Sequence, residues 1–296
     1  MRVLIAYDGS AGAAQAVALA EGIDWPAGSA VRLVSVVEPA MLQQWSTGAA
    51  NPRLQEQDAL AQIEADQAAA VGRLSAPNRT VDAVLLRDRP ASGLVDHARE
   101  FSTDLVIVGS RGHGPIASLL LGSVSTEVVD RAPCPVLVAR RSTLERVVFA
   151  TDGSKTAAAA EDILARWPIF AGLAIRVVSV ADVVRPWTTG IAPTMYAQAR
   201  HAYAKDVAEA EAEHLGIARE SAERLAGAGR RADAEMRNGD AAAEIIAVAQ
   251  ESVADLVVLG SRGQTGLKRI VLGSVARNVL AAGDASVLVV HRPADS

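Results

Sequence analysis

The chain has 296 residues, half of them apolar and 21% charged, a balance that can bury a sizeable core and excludes a disordered chain. Lys and Arg number 29 against 34 Asp and Glu, for a formal net charge of −5, which argues against a dedicated nucleic-acid binder because such proteins carry a basic face. One cysteine excludes an internal disulfide framework and a cysteine-based zinc site and fits a reducing cytosol, and the five histidines show no metal-ligand spacing.

The chain opens on a strand-like run, 2–7, too short for a signal-peptide core and followed at once by Asp8. The uncharged stretch between Arg111 and Glu127 is shorter than the ~18–20 residues of a membrane helix and is interrupted by Gly, Pro and Ser. The expectation is a cytoplasmic protein with neither membrane nor nucleic acid as partner.

The two halves repeat. RVLIAYDGS at 2–10 returns as RVVFATDGS at 146–154, and DLVIVGSRG at 104–112 as DLVVLGSRG at 255–263. LGSV recurs at 121–124 and 272–275, and VLV at 136–138 and 287–289. The offset grows from 144 to 151 residues, so the second half carries extra residues in its middle. The polar seam RRSTLE, 140–145, separates an expected domain at 1–140 from another at 146–296.

Each half opens with a buried apolar strand (3–7, 147–151), and Asp-Gly-Ser then starts an Ala-rich helix (11–21, 155–166) with Ser or Asp as its N-cap. A second strand follows (31–37, 174–180), then a loop and a long helix (53–74, 195–227). In the longer of these, Leu215, Ala218, Ala222 and Leu225 share one face. A third strand (81–87, 232–237), a short helix (91–100, 241–251) and a fourth strand (105–108, 256–259) come next. A Gly-rich loop, a helix (123–130, 274–282) and a fifth strand (135–139, 286–290) complete each half. Alternating helices and continuously apolar strands predict an α/β fold, two tandem doubly wound, Rossmann-like domains of five parallel strands. Ligands of such sheets bind outside the carboxyl ends of the strands, where strand order reverses. The loops at Asp8 and Asp152 and those at Gly109 and Gly260 all leave such ends.

The Gly-rich loops suit phosphate. Gly109-Ser-Arg-Gly112, nine residues, then Gly122-Ser123, is matched by Gly260-Ser-Arg-Gly263, nine residues, then Gly273-Ser274. Glycines let backbone N–H groups approach an anion, and Gly122-Ser123 and Gly273-Ser274 open helices whose dipoles favour negative charge. Val124 and Val275 follow in the same first turns, and Arg111 and Arg262 offer a charge-assisted partner. A lone loop of this kind is usually a turn; the duplication with one spacing weighs against that reading.

These motifs resemble the universal stress protein family in its tandem form, over essentially the whole chain. Nucleotide-binding members carry G-x2-G-x9-G-[S/T], which both halves match. The resemblance implies ATP, with Asp8 and Asp152 beside the nucleotide or holding its Mg²⁺, and adenine near Ala6 and Val36 and near Ala150 and Val180. It also implies that the fifth strands pair and that two chains associate as a homodimer. The halves depart from the pattern differently: Gly239-Asp240 precedes the third helix of the second half, whereas Asp88-Arg89-Pro90 stands in the first. Lys268 and Arg269 lie between the glycines of the second half only, and His113 between those of the first.

Neither half has the Lys of a P-loop, and no G-x-S-x-G elbow occurs. Cys134 reads as a small buried residue. Asp8 and Asp152 are single carboxylates without a positioned base, weak as hydrolases, and their bland role is an N-cap. Arg89 reads as a solvated loop residue. Trp45 and Trp187, in the loops after the second strands, either cover a nucleotide, bridge the domains or anchor their own loops. The leading expectation is a nucleotide-dependent stress sensor with an unidentified protein partner, blocked by Gly109→Glu or Gly260→Glu. Its rivals are a slow ATPase or phosphotransferase, and a nucleotide-free chaperone-like module.

Overall fold

A computed structural model describes residues 1–39, 52–112, 121–182, 193–263 and 272–291. The first half runs β1 (Arg2–Ala6), α1 (Ala11–Gly22), β2 (Ser29–Val37), α2 (Pro52–Leu74), β3 (Arg79–Arg87), α3 (Pro90–Glu100), β4 (Leu105–Gly109), α4 (Ser123–Arg131) and β5 (Val136–Ala139). The second runs β6 (Arg146–Ala150), α5 (Lys155–Arg166), a 3-10 turn (Pro168–Phe170), β7 (Ala174–Ala181), α6 (Pro193–Gly227), β8 (Arg231–Asn238), α7 (Ala241–Glu251), β9 (Leu256–Gly260), α8 (Ser274–Ala282) and β10 (Ser286–Val290). Each expected element is present, with ends displaced by at most two residues; the 3-10 turn was not expected. The extra length of the second half lies in the long helix, 35 residues in α6 against 23 in α2.

All ten strands form one sheet in the order β3-β2-β1-β4-β5-β10-β9-β6-β7-β8. Pairing is parallel within each half and antiparallel between β5 and β10, where Val138 faces Val287 and Val136 faces Val289. The expected pairing of fifth strands is therefore present, and it turns two edges that would otherwise expose N–H and C=O groups into the centre of the sheet. At the seam the buried Ser286 Oγ accepts from the backbone N–H groups of Arg140 and Arg141, at 3.1 and 3.0 Å.

The central strands are apolar on both faces because helices cover both. One core packs α1, α2, α5 and α6 through Leu19, Leu74, Leu164 and Leu225. The other packs α3, α4, α7 and α8 through Leu94, Val129, Ile245 and Val279. Ala218, Ala222 and Leu225 of the predicted apolar face are buried and Leu215 is half-buried. The outer strands alternate instead. Arg32 grips Asp82 across β2 and β3, and Arg176 grips Asp233 across β7 and β8 at the matching register. Charged side chains on outermost strands also discourage edge-to-edge association.

A buried polar link joins α5 to α6. Glu161 accepts from Ser221 Oγ at 2.6 Å and from Arg224 Nε at 2.6 Å, so its charge enters the core only with partners. Among the described residues no helix is long and apolar enough to cross a membrane.

Candidate functional site

The sheet order places β1 between β2 and β4, so the chain leaves β1 and β4 in opposite directions and opens a crevice at their carboxyl ends. The same crevice forms between β6 and β9. Its first wall is the Asp-Gly-Ser loop. Gly9 and Gly153 sit at φ of 76° and 74°, a region that favours glycine, and so turn the chain sharply off each strand.

The choice of cap left open by the sequence is resolved in favour of serine. Ser10 Oγ accepts from Ala13 N–H at 3.2 Å, and Ser154 Oγ from Ala157 N–H at 3.3 Å. Asp8 and Asp152 are not N-caps: Oδ1 of each accepts from the serine N–H two residues on, at 3.0 Å. Serine is the residue close enough to reach the third N–H of the helix. The aspartates instead brace the loop, and their Oδ2 atoms face the second wall. A Cβ built on Gly112 would lie 2.8 Å from Asp8 Oδ2, and one on Gly263 would lie 2.8 Å from Asp152 Oδ2.

The second wall follows β4 and β9. Its three glycines do different things. A Cβ on Gly109 would lie 2.3 Å from the carbonyl carbon of Gly12, and one on Gly260 would lie 2.5 Å from Thr156 Oγ1. The first glycine is thus required by the packing of α1 or α5 on the strand. The second admits the aspartate. The third, Gly122 or Gly273, has no described atom nearer to such a Cβ than 3.7 or 3.4 Å. Gly122 and Gly273 are the N-caps of α4 and α8 and, having no side chain, supply no cap of their own, unlike Ser10, Ser154 and Asp240 at the starts of α1, α5 and α7. Ser123 and Ser274 are exposed in the first turns of these helices, Val124 is half-buried and Val275 exposed.

Ala6 and Ala150 end the strands that floor each crevice, and Val36 and Val180 lie half-buried on the neighbouring strands. The Arg111 and Arg262 carbonyls accept from Ser10 Oγ and Ser154 Oγ, each at 3.3 Å, which ties one wall to the other. Arg111 is exposed and is among the residues lining a cleft shared with the second half of the chain.

Sequence reasoning missed Asp66. It lies on α2, with Oδ2 3.9 Å from a Cβ built on Gly9, and in the second half Ile217 takes that place against Gly153. Burial pushes the Tyr7 hydroxyl pKa up, and Asp66 and Asp8 push it further in the same direction. No motif marks Asp66, because the packing of α2 alone brings it to the loop. Likewise His214 Nδ1 lies 2.8 Å from Ser179 Oγ in the second half.

Arg89 is exposed at the start of α3 and makes no side-chain cap, whereas its counterpart Asp240 caps α7 by accepting from Ala243 N–H at 2.9 Å. Cys134 is buried, and burial first, then Asp104, pushes its thiol up to about 12. Trp45, His113, Trp187, Lys268 and Arg269 lie outside the described residues.

The family model described as Universal stress protein family matches the chain twice, at residues 1–140 and 143–291. A universal stress protein of Thermus aquaticus is 36% identical over 141 residues, 47% of this chain and 97% of its own. One from Mycobacterium tuberculosis is 47% identical over 66 residues, 22% of each chain. The crystal structure of a universal stress protein from Archaeoglobus fulgidus covers 98% of both chains at a TM-score of 0.66 and 17% identity, a likeness of fold. A doubled family match, laid over two copies of one crevice in a continuous sheet, shows that the chain belongs to the universal stress protein family.

Proposed function

We propose that each half binds one adenine nucleotide, ATP, and that occupancy is read by a protein partner in a cytoplasmic stress response. One observation carries this reading: in both halves a helix starts on an uncapped glycine, across from an aspartate that its own loop has turned into the crevice. Open N–H groups and the helix dipole favour phosphate, and the third glycine leaves room for it to approach. Adenine would rest near Ala6 and Val36, or Ala150 and Val180. The Asp8 and Asp152 oxygens facing Gly112 and Gly263 are hard donors of the kind Mg²⁺ takes, and one carboxylate with phosphate oxygens and water is its usual company. Mg²⁺ there would neutralise phosphate charge. The chain's own residues orient and bind; a single carboxylate suits sensing better than turnover.

The test is to purify the protein without added nucleotide, denature it, and identify what is released by chromatography and mass spectrometry. About two triphosphates per chain support the reading. A cyclic nucleotide would change the ligand, and mainly diphosphate would favour slow hydrolysis. No nucleotide, together with no thermal shift at saturating ATP, overturns it, since a ligand at 100 times its Kd stabilises by about 2.7 kcal/mol.

A further inference from the structure

Where β5 ends and β10 begins, the two halves enclose a cleft of about 340 Å³ lined from the first half by Gly12, Gln15, Arg111 and Arg140 and from the second by Gly283 and Asp284. It shares Ser110 and Arg111, from the loop after β4, with the wall of the neighbouring crevice. Arg111 and Arg140 line the cleft, and Asp284 is the one carboxylate among its lining residues. Arg140 is anchored by backbone carbonyls of the second half: Nη1 donates to Ala285 O at 3.2 Å and Nη2 to Leu280 O. Carbonyls hold the guanidinium in place without cancelling its charge. Burial lowers the Arg140 pKa, nearby Arg111 lowers it further, and Asp284 opposes both. No described residue accepts a hydrogen bond from the Arg111 guanidinium.

We propose that this cleft binds a phosphate-type oxyanion, held between the Arg111 and Arg140 guanidiniums and joining the two halves across the seam. The chemistry fits because planar guanidiniums offer several donors at fixed angles to tetrahedral or planar oxyanions. The first turn of α1, which adjoins the cleft through Ala11 and Gly12, is an end favourable to negative charge. Among the described residues, only this end of the seam has the composition. At the other end the counterpart of Arg140 is His291, whose imidazole burial holds toward the neutral form, and the counterpart of Gly12 is Thr156, whose hydroxyl is spent on the Arg262 carbonyl. Among the described residues the site therefore occurs once, and only its terminal-phosphate form rests on the nucleotide reading of the crevices.

The oxyanion is either a free ion or the terminal phosphate of a nucleotide in the neighbouring crevice. Titration of the full-length, isotope-labelled chain at constant ionic strength, followed through the amide resonance of Gly283, separates the two. Inorganic phosphate moving Gly283 assigns the free ion; ATP moving it while adenosine and inorganic phosphate do not assigns the terminal phosphate. Two variants outside the crevice give opposite signs. Gln15→Glu adds a negative charge and should weaken binding about fivefold or more, whereas Asp284→Asn removes one and should tighten it by a similar factor. Circular dichroism checks that both remain folded. Silence of Gly283 toward both ligands overturns the proposal, and so does an equal response in the wild type and both variants, which would mark a general salt effect.

Discussion

Gly109 and Gly12 meet backbone to backbone: a Cβ on Gly109 would fall 2.3 Å from the Gly12 carbonyl carbon, and a Cβ on Gly12 would fall 1.9 Å from the Arg111 carbonyl oxygen. Neither neighbour is a flexible side-chain tip, so neither can give way. Gly109→Ala is expected to cost about 3 kcal/mol of stability, at the upper end for overpacking. Gly122→Ala, at a φ of −61° with room for a methyl, should cost under about 1 kcal/mol, the usual scale for a glycine-to-alanine change at an N-cap. Denaturant midpoints measure both. A Gly109→Ala variant as stable as the wild type would refute the close contact. The nucleotide reading is accordingly better probed with Gly122→Glu and Gly273→Glu than with Gly109→Glu and Gly260→Glu, whose effects on folding and binding would be confounded.

The aspartate facing the glycine loop can be stripped of charge without losing its turn. In Asp8→Asn and Asp152→Asn the amide oxygen still accepts from Ser10 and Ser154 N–H, so the loops should hold and stability should change by less than about 1 kcal/mol. What disappears is the hard anionic donor. If Mg²⁺ joins phosphate to these residues, the gain in ATP affinity on adding Mg²⁺ should fall about tenfold in the double variant. Calorimetric titration with and without Mg²⁺ measures it. An unchanged gain would remove the aspartates from any metal role.

Much of this architecture is legible in the sequence for a physical reason. Strands buried on both faces must be apolar throughout, as Val3, Leu4 and Ile5 are, so their positions follow from composition. Glycine loops recur because backbone geometry demands them. The sequence does not say which demand each glycine meets: Gly109 answers a helix, Gly112 a carboxylate, and Gly122 an open space. Nor does it show Asp66, Arg140 or Asp284 as neighbours of anything. Asp66 reaches Gly9 through the packing of α2, and Arg140 meets Asp284 only because β5 and β10 pair across the seam. Contacts made by tertiary packing leave no local pattern.

Cys134 should be inert in the folded protein and reactive in the unfolded one. Burial raises its thiol from 9.0 to about 12, so almost no thiolate forms near neutral pH. A disulfide reagent at pH 8 should label it at the rate of opening rather than the rate of a free thiol. The sign of the linkage follows: the group's folded-state pKa is raised, so its contribution is fully present below pH 9 and is lost as pH rises toward about 12, because the unfolded chain ionises first. Cys134→Ala should flatten the decline in stability across that window. Immediate labelling in native buffer would contradict the burial.

The joint between the halves turns on Ser286. Its side chain is fully buried, and one hydroxyl oxygen accepts from both Arg140 and Arg141 N–H as the chain leaves β5. The counterpart position in the first half is Pro135, which has no hydroxyl, so this bridge exists at one end of the seam. Ser286→Ala removes a single oxygen yet strands two backbone donors. Leaving buried donors unpaired costs more than the bond itself is worth, so the loss should be about 1–3 kcal/mol. Arg140 would lose part of its anchorage too, since its N–H and its guanidinium are held by the same segment, Ser286 and the carbonyls of Leu280 and Ala285. Urea unfolding gives the stability change. A loss under about 0.5 kcal/mol would mean that water reaches both donors, and the seam would then owe its cohesion to Val136, Val138, Val287 and Val289 instead.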